Sequence, residues 1–563
     1  MYIKRIKINN FRGIKELNEE FDNRLICLIG NSDSTKSTIL DAIEYCLYPY
    51  WNIPLTDIDF YNCNIENNIV IQLTVGDIPS KLLTEDKYGL YIRKDVDEDK
   101  NDEPLDDDEK FLTVELRVNE MFECKWSVIN NRTNGKQISH KDRAEFNVSR
   151  IGEKIDRDFN IGRNSVIKQY VKETSLIDKF IIDTIRSIKS KNLSDEELNF
   201  ALTTIKKVLK DNSVNLDNEL KISFELKNSD IGFSSLNLCD GKIPIRYKGT
   251  GTKRLISSVL NINKLENSAC ILIDEIEYGL EPHKLSDLLY KLHSKSSTGQ
   301  VILTTHSPIT ISELSYSNLF LCISKTGITK CNKFDEDLQP LLRANPYAFI
   351  SNKIIVVEGA TESGILKTLN YKWSDSGNSL SLYNSVVMDG KGGINACQNA
   401  QKLKNIGYDV CLFIDADDLK TNQEAEKLRK KGIKVLMWKE GNSTEKQLIS
   451  DLTFDSLSQV IDMMIELKDR DKVLSYFKEF EMNTTDLDEL KINFNEDEIK
   501  EKIVNILTFK NSKGKPRFKN FNYGILLGKI IDKNYDKFLS DSIPKIINEL
   551  KKWYRGEQNE NNE

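Results

Sequence analysis

Arg24-Leu25-Ile26-Cys27-Leu28-Ile29-Gly30-Asn31-Ser32-Asp33-Ser34-Thr35-Lys36-Ser37-Thr38 decides the fold of the first two-thirds of this chain. The apolar run Leu25–Ile29 reads as a strand buried on both faces. After the loop, Ile39, Leu40, Ile43, Cys46 and Leu47 fall at helical spacing on one face. Strand, loop, Lys-Ser and helix together form the context of a phosphate-cradling loop. Amides of Gly30, Asn31, Ser34, Thr35 and Thr38 and the helix N-terminus would face the phosphates. Lys36 would reach the β/γ-phosphates and Ser37 would ligate Mg²⁺, so the expected cofactor is ATP with Mg²⁺. Thr35 stands where this pattern uses glycine, and a β-branched residue in a left-handed conformation costs roughly 1–2 kcal/mol. A loop that no longer binds nucleotide is the alternative this leaves open.

Working outward, Tyr2–Phe11 alternates as a strand ending in Asn10-Phe11-Arg12-Gly13. Ala269-Cys270-Ile271-Leu272-Ile273-Asp274-Glu275 is a buried strand ending in two acids. The segment resembles a Walker B strand, and that resemblance implies that Asp274 would hold the Mg²⁺ shell and Glu275 would polarise the attacking water. Gly279-Leu280-Glu281-Pro282 follows, and Val301–Thr305 is a further strand that ends at His306. Between these and the loop lies Tyr247-Lys248-Gly249-Thr250-Gly251-Thr252-Lys253-Arg254, a glycine-rich turn opening a helix. The four segments, in this order, resemble the Walker A, signature, Walker B and switch motifs of ABC-type ATPases. In that family the signature glycines, here Gly249 and Gly251, complete the ATP site of a second subunit, and His306 senses the γ-phosphate. The resemblance therefore implies a homodimer or higher homo-oligomer. Residues from about 75 to 225 fit this pattern poorly. They begin with the acidic Asp95–Glu109 surface loop and continue with helical spacing at Leu176, Phe180, Ile181, Ile185 and Ile188, then Leu198, Leu202, Ile205 and Leu209. A helical insertion, serving as core or as a dimer seam, is expected there.

The last third turns on Ile354-Ile355-Val356-Val357-Glu358-Gly359-Ala360-Thr361-Glu362 and Cys411-Leu412-Phe413-Ile414-Asp415-Ala416-Asp417-Asp418. Both are apolar runs that end abruptly in carboxylates. Ligands of open α/β sheets bind outside the carboxyl ends of the strands, so Glu358, Asp415 and Asp417 should share one crevice. Glu362, one helical turn on, can face it too. Clustered carboxylates repel one another unless a hard cation lies between them, and Mg²⁺ or Mn²⁺ fits such an all-oxygen set. Ser385–Asp389 and Val435–Trp438 read as further strands, and Gly390-Lys391-Gly392-Gly393 as a turn. Asp418 reads as a helix cap. Glu445 is either a further metal ligand or an ordinary first-turn glutamate stabilised by the helix dipole. Lys519, in Lys513–Lys519, is either the cation for a phosphoryl transition state or part of a loop contacting a DNA backbone.

At 563 residues the chain exceeds the roughly 250–300 at which one core stops growing. No apolar run approaches the ~20 residues needed to span a bilayer, and Met1–Ile6 does not read as a secretory leader. The ten cysteines show no Cys-x-x-Cys, which suits a reducing, cytoplasmic setting and no zinc site. Four scattered histidines, His140, His283, His293 and His306, argue against histidine-based metal nucleases. The net charge of -7 neither announces nor excludes nucleic acid, because binding follows local charge.

Glu358, the Asp415-x-Asp417 pair and the intervening glycine turn resemble the Toprim fold. An ABC-type ATPase followed by Toprim resembles the OLD (overcoming lysogenization defect) family. The fold class expected is therefore α/β: an ABC-type P-loop ATPase with a helical insertion, then a Rossmann-like parallel sheet. The expected division is 1–150 and 221–345 for the ATPase, 151–220 for the insertion and 350–563 for the Toprim part. The resemblance implies an ATP-regulated, divalent-metal-dependent DNA endonuclease, often nicking, in bacterial anti-phage defence. Glu358, Glu362, Asp415, Asp417 and Lys519 would be its catalytic set. Partners implied are DNA and either a helicase or a retron's reverse transcriptase with its DNA. The alternative is a RecF- or SMC-like DNA sensor whose Toprim part does no chemistry.

Overall fold

The computed structural model describes residues 1–94, 102–105, 107–152, 155–160, 165–170, 196–212, 214, 216, 220–224, 236–263, 265, 269–511 and 516–557. The chain divides into two compact units, Met1–Ala344 and Asn345–Glu563.

Strands are numbered along the chain. In the first unit they are β1 (Tyr2–Phe11), β2 (Ile14–Glu20), β3 (Leu25–Ile29), β4 (Ile69–Gly76), β5 (Leu112–Val118), β6 (Cys124–Ile129), β7 (Lys136–Gln137), β8 (Val148–Ile151), β9 (Leu220–Phe224), β10 (Leu236–Asp240), β11 (Ile243–Pro244), β12 (Cys270–Ile273), β13 (Gln300–Thr304), β14 (Leu319–Lys325) and β15 (Ile328–Lys333). Twelve of them form one sheet in the order β7-β6-β5-β4-β1-β2-β15-β14-β3-β13-β12-β8. From β14 to β8 every neighbour is parallel. Their sequences, Leu-Ile-Cys-Leu-Ile in β3 and Cys-Ile-Leu-Ile in β12, are buried throughout, as strands covered on both faces must be. The other half, β7 to β2, is antiparallel. The helix Lys36–Leu47 buries Ile39, Leu40, Ile43, Cys46 and Leu47 in the core that also holds Ile71 and Val114.

Residues 112–151, which the nucleotide-binding motifs leave unread, supply four further strands of the ATPase sheet. β5, β6 and β7 extend it, and β8 pairs with β12 at its far edge. Their alternating or short patterns differ from the nucleotide-binding motifs, so motif reading passed over them. The helix Glu196–Asp211 is present, with Ile205 and Leu209 buried. Leu176, Phe180, Ile181, Ile185 and Ile188 lie outside the described residues.

The second unit is built on four parallel strands, β16 (Lys353–Val357), β17 (Ser385–Asp389), β18 (Asp409–Ile414) and β19 (Lys434–Met437), in the order β17-β16-β18-β19. Helices Ala360–Asp375, Gly393–Ile406 and Leu419–Lys430 connect them. The sheet order changes direction about β16, so the chain leaving β16 and the chain leaving β18 emerge side by side. A mostly helical region follows, from Thr444–Asp451 to Ser542–Arg555. Within it, Phe521–Lys533 packs on Ala360–Asp375 through glycines. A Cβ on Gly524 would lie 2.1 Å from the Thr361 carbonyl, and one on Gly364 would lie 2.4 Å from that of Phe521. The two backbones touch, and only glycine permits it.

Candidate functional site

In the first unit, Thr35 has φ 64° and ψ 13°, the left-handed conformation that the motif demands. Its hydroxyl donates to the Ser34 carbonyl at 2.7 Å and lies 3.1 Å from Thr329 Oγ1. Lys36 is buried and folds over the loop. Its ammonium donates to the carbonyls of Gly30 (3.0 Å) and Asn31 (2.7 Å) and to Ser34 Oγ (3.0 Å). Burial lowers its pKa from the usual lysine value. Ser37 Oγ donates to Asp274 Oδ1 at 2.9 Å, and Thr304 Oγ1 donates to the same oxygen at 2.7 Å. The loop serine and the strand-end aspartate expected to share Mg²⁺ are thus already in contact. Glu275 takes φ 46° and its N–H donates to Thr304 Oγ1 at 2.8 Å. Burial, with Lys36 nearby, holds His306 below the usual imidazole pKa. Its backbone N–H donates to Glu277 Oε1 at 2.6 Å. A Cβ on Gly251 would strike the Gly279 carbonyl at 2.3 Å, so this glycine seats its helix against the loop after Glu275. Gly249 faces open space.

Three residues of this site went unread in the sequence. Arg150, on β8, bridges Asp274 Oδ2 (2.8 Å) and Asp41 (3.0 Å). Arg254 is fully buried and binds the carbonyls of Gly152 (2.6 Å), Asp274 and Glu275 (3.0 Å). Glu277 also accepts from Thr305 Oγ1 at 2.7 Å. An isolated arginine in a strand or a helix carries no spacing signal that would have revealed it.

In the second unit the carboxylates converge beyond the ends of β16 and β18. Glu358 Oε2 accepts the Asp415 N–H at 3.0 Å. Glu362 accepts the Gly359 N–H at 3.0 Å, which closes the first turn of its helix. Glu362 and Asp415 are each 3% exposed and Glu445 is 0% exposed. Thr444 joins two of them, with its Oγ1 2.9 Å from Glu362 Oε1 and 2.8 Å from Asp415 Oδ1. Trp438 Nε1 donates to Thr444 Oγ1 at 2.9 Å. A threonine has one hydroxyl proton, so it serves one carboxylate at a time. Asp415 Oδ1 also accepts the Thr444 N–H at 2.9 Å, so Glu362 is the one left to carry its own proton or meet a cation when the hydroxyl turns to Asp415. Consistently, burial and then the charge of Glu445 push the Glu362 carboxyl up to about 7. Burial, with Glu362 and Glu358 adjacent, also drives Asp415 well above the usual carboxylate range. Burial raises Glu358 as well, with Asp417 adding to the effect.

Lys519 supplies positive charge. Its ammonium lies 3.4 Å from Glu445 Oε2 and 3.9 Å from Asp415 Oδ2. Burial works against that charge, but Glu445, Asp415, Glu362 and Glu358 outweigh it and raise its pKa. Asp417 is exposed at the rim. Asp418 caps the helix Leu419–Lys430 through the Thr421 N–H at 2.8 Å. Thr444 was missed by sequence reading, because Ser443-Thr444-Glu445 looks like any helix start, and Ser443 is indeed the cap.

As for a divalent cation, the donor set is entirely hard oxygen, and Glu445 Oε1 is buried with no hydrogen-bond partner. Both features fit Mg²⁺ or Mn²⁺. Among the described residues no three acidic, histidine or cysteine side chains stand ready around one point. The acids that would hold an ion are engaged with Thr444, Lys519 and backbone amides instead.

The profile of the AAA ATPase domain family matches residues 1–311, which is more than half of the chain. The chain belongs to that family. In this AAA ATPase the loop Gly30–Thr38, Asp274 and Glu275 all fall inside the matched region. Three curated relatives resemble it. The Old nuclease of Escherichia phage P2 is 26% identical over 196 residues, 30% of this chain and 33% of that protein. The ATP/GTP phosphatase of Helicobacter pylori is 23% identical over 343 residues, 54% of this chain and 85% of that protein. The DNA replication and repair protein RecF of Clostridium kluyveri is 33% identical over 99 residues, 16% of this chain and 27% of that protein. The chain thus spans about a third of the Old nuclease and about a quarter of RecF. No helix among the described residues is long and apolar enough to cross a membrane.

Proposed function

We propose that the chain is an ATP-regulated, divalent-metal-dependent DNA endonuclease of the OLD kind, in which the second unit is a Toprim nuclease and the first controls it. One observation carries this reading: Glu362, Asp415 and Glu445 are buried together around Lys519 at the carboxyl ends of parallel strands. Burying three carboxylates costs several kcal/mol each unless they are paired or neutralised. Buried, strongly perturbed acids of this kind concentrate at functional sites. The similarity to the Old nuclease supports the same reading. Bacterial anti-phage defence, and a helicase or reverse-transcriptase partner, are carried over from the family resemblance alone.

In this mechanism Glu362, Asp415, Asp417 and Glu445 would hold the cations, with Glu358 as ligand or general base. Bound Mg²⁺ or Mn²⁺ would neutralise the scissile phosphate and acidify water. Burial raises the Glu358 carboxyl from its ordinary value, which would favour it as the group that accepts a proton from the attacking water. Lys519 would meet the charge that develops on the phosphoryl oxygens. Thr444 and the Asp415 N–H keep the acids in register. In the first unit, Lys36 would exchange its loop carbonyls for ATP phosphates, Ser37 and Asp274 would hold Mg²⁺, and Glu275 would orient water. Gly249 and Gly251 of a second copy would close that site.

The test is plasmid nicking with Mg²⁺ or Mn²⁺, comparing wild type with Asp415→Ala and Lys36→Ala. Nicking that is lost in Asp415→Ala supports the nuclease, and the Lys36→Ala lane reports nucleotide control. A different observation favours a second reading, a RecF- or SMC-like DNA sensor: Lys519 already offsets the charge of Glu445 and Asp415. DNA binding with ATP turnover but no cutting, with either metal, would establish that reading and remove the first.

A further inference from the structure

Two polar atoms at the carboxylate site are fully buried and have no hydrogen-bond partner, an acceptor, Glu445 Oε1, and a hydroxyl, that of Tyr523. Tyr523 lies in the first turn of the helix Phe521–Lys533, four residues beyond Lys519. Its backbone N–H is fixed by Asn520 Oδ1 at 2.9 Å, and its ring lies against Phe518 with centroids 6.0 Å apart. The next residue, Gly524, is wedged against the Thr361 carbonyl, directly before Glu362. The backbone on either side of Tyr523 is thus fixed, and its side chain is fully buried. The carboxylates of Glu445, Glu362 and Asp415 all act on the hydroxyl electrostatically. A phenylalanine would pack here equally well, because a buried hydroxyl with no partner costs stability.

We propose that Tyr523 is a positioning residue of the carboxylate site, its hydroxyl hydrogen-bonding a water of hydration of the divalent cation that Glu445 helps to hold. This rests on the metal-dependent reading above. Magnesium keeps several of its waters when protein carboxylates bind it, and groups that hold such waters tune affinity without touching the ion. A tyrosine hydroxyl both donates and accepts, so it can accept a hydrogen from such a water or donate its own to the water's oxygen. Buried as it is, the hydroxyl cannot reach DNA, which limits its role to water and ion.

The test uses the full chain without ATP: wild type, Tyr523→Phe and Asp415→Asn. Each is melted in EDTA and in MgCl₂, and Mg²⁺ is titrated calorimetrically. In EDTA, Tyr523→Phe is expected to melt at or above wild type. In MgCl₂ the order should reverse, with the Mg²⁺ Kd raised on the order of 10-fold. Asp415→Asn should lose that binding event, which assigns it to this site. Equal Mg²⁺ affinity in wild type and Tyr523→Phe overturns the role of Tyr523 and leaves the metal site standing. A Tyr523→Phe protein that melts below wild type in EDTA also overturns it, since the hydroxyl then has a partner within the protein. Wild type without a binding event sensitive to Asp415→Asn overturns the metal reading itself.

Discussion

Replacing Glu362 by glutamine should stabilise the metal-free protein. The Glu362 carboxyl is pushed from 4.5 up to about 7, by burial first and by Glu445 second. A raised carboxylate pKa means that the folded state binds the proton more tightly than the unfolded chain. Stability is therefore highest below about pH 4.5 and falls as pH rises through about 7. At about 1.4 kcal/mol per pKa unit, the loss at pH 8 is on the order of 3 kcal/mol. Glutamine removes the charge and keeps the contacts. Its carbonyl can accept the Gly359 N–H, its amide can donate to Thr444 Oγ1, and the Thr444 hydroxyl is then free to serve Asp415. Urea unfolding in EDTA, followed by tryptophan fluorescence, reads this, because Trp373 and Trp438 are buried in the second unit. The expected result is a Glu362→Gln protein more stable than wild type by up to about 3 kcal/mol at pH 8. The advantage should shrink towards zero near pH 4.5. A variant less stable than wild type at pH 8 would refute the reasoning, since Glu362 would then be a stabilising anion and not a strained one.

Thr35→Gly should relieve roughly 1–2 kcal/mol of left-handed strain while losing the Thr329 contact and some chain rigidity. Its melting temperature should stay close to wild type, whereas Thr35→Ala, which keeps the strain and loses the contact, should melt lower. Lys36→Ala should abolish measurable ATP turnover without unfolding the first unit, as checked by phosphate release and circular dichroism. Gly524→Ala places a methyl 2.1 Å from the Thr361 carbonyl. It should cost about 1–3 kcal/mol in urea unfolding and weaken nicking by displacing Glu362 and Lys519.

Much of this was legible because a parallel strand writes itself as an unbroken apolar run, and a site writes itself as acids at the end of that run. Ile354–Glu358 and Cys411–Asp415 behave in this way, and both strands fall where they were read. The left-handed Thr35 followed from the motif alone. The rest depends on contacts that have no period. Thr444 is silent because a threonine after a helix cap is commonplace. Arg254 and Arg150 act on groups far away in sequence. Lys519 was found among other basic residues, but nothing nearby tied it to Glu445. The contact that brings it there, between Gly364 and Gly524, is a property of two helices together. The strands β5 to β7 were passed over because antiparallel extensions carry no motif, and β8 because it is a short edge strand.

The position of Lys519 also sets an order of events during synthesis. Glu358 and Glu362 leave the ribosome roughly 160 residues before Lys519. At about 5–20 residues per second, that delay is on the order of ten to thirty seconds. During it, β16 to β19 can pair and gather their acids with no ammonium to offset them. Buried carboxylates without a counter-charge resist closing, so the crevice stays open or protonated until Phe521–Lys533 docks. A growing chain therefore carries its acids well before the ammonium that offsets them, and the two halves of the site meet only when its last third has been made.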